Sequence, residues 1–338
     1  MKKISQVPSS IEHPFAPYIR ILGKGKTGTR SLDMDEARQA FGMILRGEAE
    51  PVQVGAFLML LRVKEESAEE LAGFVQACRE EMIATPDDLA SDIDWSCYAG
   101  KKHQHPWFIL SMLLLAGAGH RIFVHGSAGH TVGRLYTEDA MRQLRLPVAC
   151  NWNEVRQQLN GPHLSYLPLK RFCPKLDALM QLRPLLGLRS PVNTLSRLLN
   201  PLHAVASIQS VFHPPYARLH QEADQLLQQP RAIVFKGESG EAEIKPQAQS
   251  TVYLLEDGRS HQLLFPRSIS QRAHSVEFPS VEPLRDLWSG TATDDYGLAA
   301  TLATTTAGLL AVSPGLDLES AQHQALLLWQ NRNRSRLC

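Results

Sequence analysis

The sequence predicts an α/β protein: a small helical N-terminal domain, then a larger α/β domain with a mainly parallel central sheet. Three observations predict it. Three capped, apolar-periodic stretches follow one another within the first 90 residues. From about Asp92, short β-branched runs alternate with helical stretches, the pattern of strands joined by crossover helices. The most apolar run, "FILSMLLLAGAG", feeds through Gly119 into "RIFVHG", an αβ join with glycine at the helix end. At 338 residues and 43% hydrophobic, the chain can bury a substantial core.

The elements follow in order. After "GKGKTGTR", Ser31 is placed to cap the helix "LDMDEARQAFGMILRGE", with Asp33 and Asp35 in its first turn and Gly47 at its end. Leu32, Ala37, Ala40, Phe41, Met43 and Ile44 form its apolar face. "PVQVGAFLMLLRVK" opens with Pro51 at a first-turn position, and "SAEELAGFVQACREEMI" has Ser67 and Glu70 at capping-box spacing. The expected strands are "RIFVHG", "LPVAC", "AVASIQSVF", "RAIVFKG" and "TVYLLEDG", followed by a long Ala/Leu helix from Gly297 to Leu310. Residues 331–338, "NRNRSRLC", read as a frayed basic tail.

Composition narrows the function classes. The uncharged run from Trp107 to Gly119 is too short to span a membrane, and no apolar stretch backs the two N-terminal lysines as in a secretory signal. Cys78, Cys97, Cys150, Cys173 and Cys338 are odd in number and lack CxxC spacing, so reduced thiols in a cytoplasm are expected and a metal cluster is not.

Three stretches carry a family resemblance. "LDMDEARQAFGMILRGEAEPVQVGAFLMLLRVKEESAEELAGFVQACRE" resembles the N-terminal helical domain of the anthranilate phosphoribosyltransferase family, whose fold is shared with the pyrimidine nucleoside phosphorylases. "LRPLLGLRSPVNTLSRLLNP" is similar to that family's Arg-x-x-Leu-Gly-x-Arg-Thr-x-x-Asn…Asn-Pro segment, and "VFKGESGEAEI" to its His-Gly-x-Asp-Gly-x-Asp-Glu segment. The resemblance implies a helical domain of residues 1–90 joined by helices from about 174–201, an α/β domain of 91–173 and 202–330, and a homodimer through the small domain. The strongly apolar "VQVGAFLMLLRVK" helix agrees with such an interface, and burial against the large domain is its alternative.

The resemblance breaks at the substrate site. Enzymes of the family hold phosphoribosyl pyrophosphate in a Gly-Thr-Gly-Gly-Asp loop followed by Thr-Phe-Asn-Ile-Ser-Thr; this chain has "SCYAGKKHQHPWFILS", with Gly100 alone retained. Tyr98 and Lys101 would intrude where a diphosphate lies close to the backbone. The family's Lys-His-Gly-Asn-Arg appears as "VHGSA", keeping His125 and Gly126 but with Val124, Ser127 and Ala128 in place of lysine, asparagine and arginine. The Asp-Glu pair that holds magnesium appears as Ala242-Glu243, which weakens a site built on oxygen ligands. "SCYAGKK" is similar to the loop of a non-catalytic branch of the family that forms homodimers and binds nucleic acid, notably single-stranded DNA.

Charge distribution agrees with that branch. The whole chain has a net charge of only +1, yet Trp95 to Phe235 holds 15 Lys/Arg against 6 Asp/Glu and nine of the 13 histidines. The candidate nucleic-acid contacts are Lys101, Lys102, Arg134, Lys170, Arg171, Lys175, Arg183, Arg189 and Arg197, with Tyr98 and Trp107 as stacking platforms. Each has a structural alternative: a solvated face for the charges, an interdomain role for Arg183 and Arg189, and packing at a helix start for Trp107. His125 then reads as a satisfied structural histidine, Glu241 and Glu243 as exposed, and His103 and His105 as too few ligands for a metal. The expected function is sequence-tolerant binding of nucleic acid, with single-stranded DNA as the ligand and no cofactor. The alternatives are a phosphoribosyltransferase with an altered, magnesium-dependent site and a purely structural or regulatory protein.

Overall fold

Residues 12–25, 27–129, 131–271 and 274–337 are described by a computed structural model. Four helices come first: α1 (Ala16–Gly23), α2 (Met34–Arg46), α3 (Pro51–Lys64) and α4 (Ala68–Glu81). The cap of α2 is Asp33, two residues after the expected Ser31. Its carboxylate accepts the Glu36 N–H while Glu36 reaches back to the Asp33 N–H. An ionised acceptor outcompetes a hydroxyl at a helix N-terminus, and the Ser31 hydroxyl instead accepts from Lys64. Gly47 closes α2 with φ 78°, and Ser67–Glu70 forms the expected capping box.

The α/β domain carries a seven-stranded sheet of order β3-β2-β1-β4-β5-β6-β7. Its strands are β1 (Ile93–Cys97), β2 (Ile122–Gly126), β3 (Leu164–Pro168), β4 (Ala206–Val211), β5 (Arg231–Lys236), β6 (Ser250–Glu256) and β7 (Arg259–Phe265). The first five are parallel, and the last two add an antiparallel edge. The intervening helices are α5 (Phe108–Gly117), α6 (Thr137–Gln143), α7 (Trp152–Asn160), α8 (Leu169–Phe172), α9 (Pro174–Met180), α10 (Arg183–Leu186), α11 (Val192–Leu195) and α12 (Pro215–Leu226), with α13 (Glu282–Ser289), α14 (Asp295–Val312) and α15 (Leu318–Gln330) after the sheet.

Strand alternation divides the core into two layers. Ile122 and Val124 join the cluster under α5, α14 and α15, whereas Phe123 joins the one beneath α4 and α7. That second cluster also takes in Leu176, Met180, Val192 and Leu195, so α9 and α11 share a core with the N-terminal bundle. Helix α5 is buried on every side from Phe108 to Ala116, which explains its unbroken apolar sequence.

Two expectations fail here. "LPVAC" forms an isolated bridge between Val148 and Tyr166 and no strand. Most of the basic tail is docked: Arg332 lies 3.6 Å over the Trp329 ring, and Arg336 donates to the Leu113 and Pro162 carbonyls. Guanidinium stems and faces pack on aromatic surface as readily as they hydrate, and Leu337 buries its apolar side chain in the main core. Cys338 lies outside the described residues.

Candidate functional site

Strand β1 has β2 on one side and β4 on the other, so the connections leaving their C-terminal ends diverge and open a crevice there. Ligands of open α/β sheets bind at such a point. The segment 98–107 leaves β1 at this edge, but its side chains turn into the protein. Tyr98 is 2% exposed, and its hydroxyl lies 2.7 Å from His125 Nδ1, whose Nε2 faces the Asp94 carboxylate at 3.2 Å. Burial holds the phenol well above its ordinary range, so Tyr98 stays neutral beside the imidazole. His125 stacks on Phe123, which makes it a buried structural histidine. Tyr98 therefore anchors the loop and offers no face for stacking.

Two carboxylates from the segment after β5 complete the loop. Glu241 Oε1 accepts the Ala99 N–H at 2.8 Å and also the Gly100 N–H. Lys101 Nζ lies 2.6 Å from Glu243 Oε1, with both side chains fully buried, and Glu243 Oε2 accepts the Phe108 N–H opening α5. Burial pushes both glutamic acids upward, against the pull of Arg197 and the two amides on Glu241 and of Lys101 on Glu243. Lys101 is thus no surface contact, and Glu241 and Glu243 are not exposed. Charged residues read one at a time belong in water, whereas a hydrogen-bonded pair tolerates burial.

Gly100 takes φ +68°, the left-handed conformation that lets the loop turn at this point. Gly126 is required by contact: a Cβ there would stand 2.0 Å from the Cys97 carbonyl oxygen. Ser127, which follows it, donates to Asp177 on α9 at 2.6 Å. Trp107 is 1% exposed and packs against Gly297 of α14, so it too is unavailable for stacking.

The remaining cations separate into two groups. Arg134 donates to the carbonyls of Ala99, Gly100 and Ser239, and buried Arg197 to Ser210 Oγ and Gly240 O; both brace the loops, and Arg197 is removed from the solvent-exposed set. Arg183 donates to Thr131. Half-buried Arg189 makes no hydrogen bond or ion pair among the described residues; burial, then the guanidiniums of Arg183, Arg134 and Arg197, hold it below its ordinary range. Lys102, Lys170, Arg171 and Lys175 are exposed, on the connections that leave β1 and β3 at the crevice edge. Across β3-β2-β1 and on to β4 this edge spans about 14 Å, at 4.7–4.9 Å per strand.

The magnesium that the resemblance implies does not fit these residues, because both oxygens of Glu243 are engaged by Lys101 and the Phe108 amide. No group of three or more His, Cys, Asp or Glu suited to a metal occurs among the described residues. Sequence reading did not single out Arg62, Glu66, Phe212 or Tyr216, which line a cavity between the helical bundle and the end of β4. The one hint was the "VFHPP" break after a strand.

Two family models match in chain order: the glycosyl transferase family helical bundle domain over residues 16–82, and the a/b domain of the same family over 109–317. The chain belongs to the glycosyl transferase family. Its relatives include the uncharacterized protein YbiB of Escherichia coli K12, 27% identical over 250 residues (72% of this chain and 76% of YbiB). Anthranilate phosphoribosyltransferase of Brevibacillus brevis is 30% identical over 245 residues, covering 71% of this chain and 68% of the enzyme. Among solved structures, anthranilate phosphoribosyltransferase from Thermus thermophilus superposes with a TM-score of 0.73 at 22% identity, over 96% of this chain and 99% of the enzyme. The Saccharomyces cerevisiae enzyme in complex with PRPP and Mg gives 0.74 at 17% identity, over 94% and 93%. At these identities the structural likeness concerns the fold. No described helix is long and apolar enough to cross a membrane.

Proposed function

We propose that this glycosyl transferase family protein does not transfer phosphoribose and instead binds nucleic acid, single-stranded DNA foremost, along the crevice edge of its sheet. The observation that carries the first part is the loop after β1: its amides are already taken by Glu241, and its lysine is sealed against Glu243. A diphosphate could take these partners only by displacing two buried carboxylates and leaving them unpaired, a costly exchange in a low-dielectric site. The second part is supported by Lys102, Lys170, Arg171 and Lys175, exposed on that edge, together with the half-buried pair Arg183 and Arg189. With no base-reading motif in the chain, phosphate contacts would dominate and sequence preference would be slight. The protein would act in the cytoplasm, without a cofactor, as a homodimer through the uncovered face of α3, where Val52 and Val63 are 78% and 84% exposed.

A second reading, a phosphoribosyltransferase with an altered site, is favoured by the relatives named anthranilate phosphoribosyltransferase, and none of the named relatives is described by nucleic-acid binding. One titration separates the two. Fluorescent single-stranded DNA is added at 50–200 mM salt, with and without phosphoribosyl pyrophosphate. Four phosphates neutralised by Lys102, Lys170, Arg171 and Lys175 predict a log–log salt slope of about −2.8, or roughly a 50-fold loss across that range. Replacing all four with glutamine should flatten the slope. Magnesium-dependent transfer of phosphoribose to anthranilate would overturn the proposal in favour of the second reading, and no DNA binding at 50 mM salt would remove the nucleic-acid reading itself.

A further inference from the structure

Two of the buried thiols meet where the chain passes from the sheet into the helical bundle. Cys78 lies on α4 with no exposed surface, and Cys173, 3% exposed, is the joint between α8 and α9. They are far apart in the chain, and the backbone brings them together. The Ile83 N–H, just beyond α4, donates at 2.8 Å to the carbonyl of Phe172, the residue before Cys173. Both cysteines belong to one apolar core cluster with Leu169, Phe172 and Leu176. Within it the Cys78 S–H donates to Cys173 Sγ, so nothing separates the two sulfurs. Lys170, Arg171, Pro174 and Lys175 are all exposed, so Cys173 is buried between surface neighbours at the crevice edge.

We infer that Cys78 and Cys173 are a redox pair that hydrogen peroxide converts into a disulfide. In the first step the Cys173 thiolate attacks one peroxide oxygen and the O–O bond breaks. The departing hydroxide takes up the proton that the thiol released, leaving a sulfenic acid and water. In the second, the Cys78 sulfur attacks the sulfenic sulfur, an S–S bond forms and the S–O bond breaks. Hydroxide leaves as water with the Cys78 proton, so two thiols lose two electrons and two protons while one peroxide becomes two waters. The roles follow the hydrogen bond. Donation from Cys78, helped by the Leu176 amide and the Lys175 charge, lowers the Cys173 thiol against burial, whereas burial above all raises Cys78. The thiol that ionises more readily is oxidised first. Disulfides of reducing compartments are transient and redox-sensing, as such a pair would be. Once formed, the bond pins the connection bearing Lys170, Arg171 and Lys175 to α4, and its formation does not depend on what that edge binds.

The test is peptide mapping of the full chain. Reduced protein is treated with equimolar hydrogen peroxide, blocked with iodoacetamide in denaturant and digested without reductant. The parent should yield, as its main oxidation product, two peptides joined through Cys78 and Cys173 that dithiothreitol separates. Cys150→Ser should yield the same product, because that exposed thiol takes no part. Cys78→Ser should leave Cys173 as a sulfenic acid that dimedone traps, and Cys173→Ser should leave Cys78 without a dimedone adduct. The parent map decides the matter by itself if either serine variant does not fold. In the oxidised parent, amide exchange across residues 170–176 should slow by about tenfold. Oxidation confined to other cysteines, a link that forms only after unfolding, or dimedone on Cys78 in preference to Cys173 would overturn the pair. Unchanged exchange with the link in place would overturn the pinning of the connection and leave the disulfide standing.

Discussion

Lys101 is the residue whose replacement most directly tests the sealed loop. Its ammonium lies 2.6 Å from Glu243 Oε1 with both side chains fully buried, so Lys101→Met leaves a carboxylate in the interior with only the Phe108 amide to hold it. Removing one partner of a buried pair costs about 3–5 kcal/mol. For 338 residues unfolding as one unit, an entropy of about 2.1 cal/mol/K per residue gives about 0.7 kcal/mol/K, so the melting temperature should fall by about 4–7 °C. The double variant Lys101→Met/Glu243→Gln keeps an acceptor for the Phe108 N–H without the orphaned charge, and should recover most of the loss. Calorimetry or circular dichroism reads both values, and the same samples are titrated with single-stranded DNA. A Lys101→Met protein as stable as the parent but deficient in DNA binding would refute the reasoning, because it would place the ammonium on the surface.

Three further outcomes follow from the packing. Asp224 and His220 are linked through Gln209, with burial raising the first to about 7 and lowering the second to about 3. Stability from Asp224 is full below its unfolded pKa of 3.8 and lost as pH rises through about 7, while that from His220 is full above 6.5 and lost as pH falls toward about 3. Asp224→Asn should therefore gain on the parent as pH rises from about 4 to about 7 and level off above that; a difference in melting temperature that stays flat over that window refutes it. Gly126→Ala drives a methyl into the Cys97 carbonyl and the Tyr166 hydroxyl, and should cost about 1–3 kcal/mol or more in urea unfolding; parent-like stability would contradict the contact. Lysine at both Val52 and Val63 should convert a dimer to a monomer in light scattering at micromolar concentration, and a monomeric parent would remove the proposed interface.

The fold was legible where the sequence is periodic or punctuated. Ser67–Glu70, Gly47 and Pro51 mark helix ends by local chemistry, and β2, β4, β5 and β6 contain β-branched runs. Strands β1 and β3, "IDWSC" and "LSYLP", escaped notice because their polar residues look exposed in isolation, yet Asp94, Ser96 and Ser165 are buried. The candidate site was half legible. Loss of the glycine-rich loop could be read from "SCYAGKK", and the exposed cations at 102, 170, 171 and 175 from charge alone. The inward turn of Tyr98, Lys101, Glu241 and Glu243 could not, because each depends on a partner distant in the chain. Trp107 followed its bland alternative, packing at a helix start.

Ala99 and its acceptor Glu241 stand 142 positions apart, as do Lys101 and Glu243. Contacts of that separation form late, since a long stretch of chain must first be ordered between them. As the polypeptide leaves the ribosome, the helical bundle and β1 emerge well before the segment after β5, and domains fold from the N-terminal side first. Throughout that interval the loop after β1 has free amides and an unneutralised lysine. Folding thus ends, at this edge of the sheet, with the closure of a nascent anion site, and a chain released before Glu243 would leave it open.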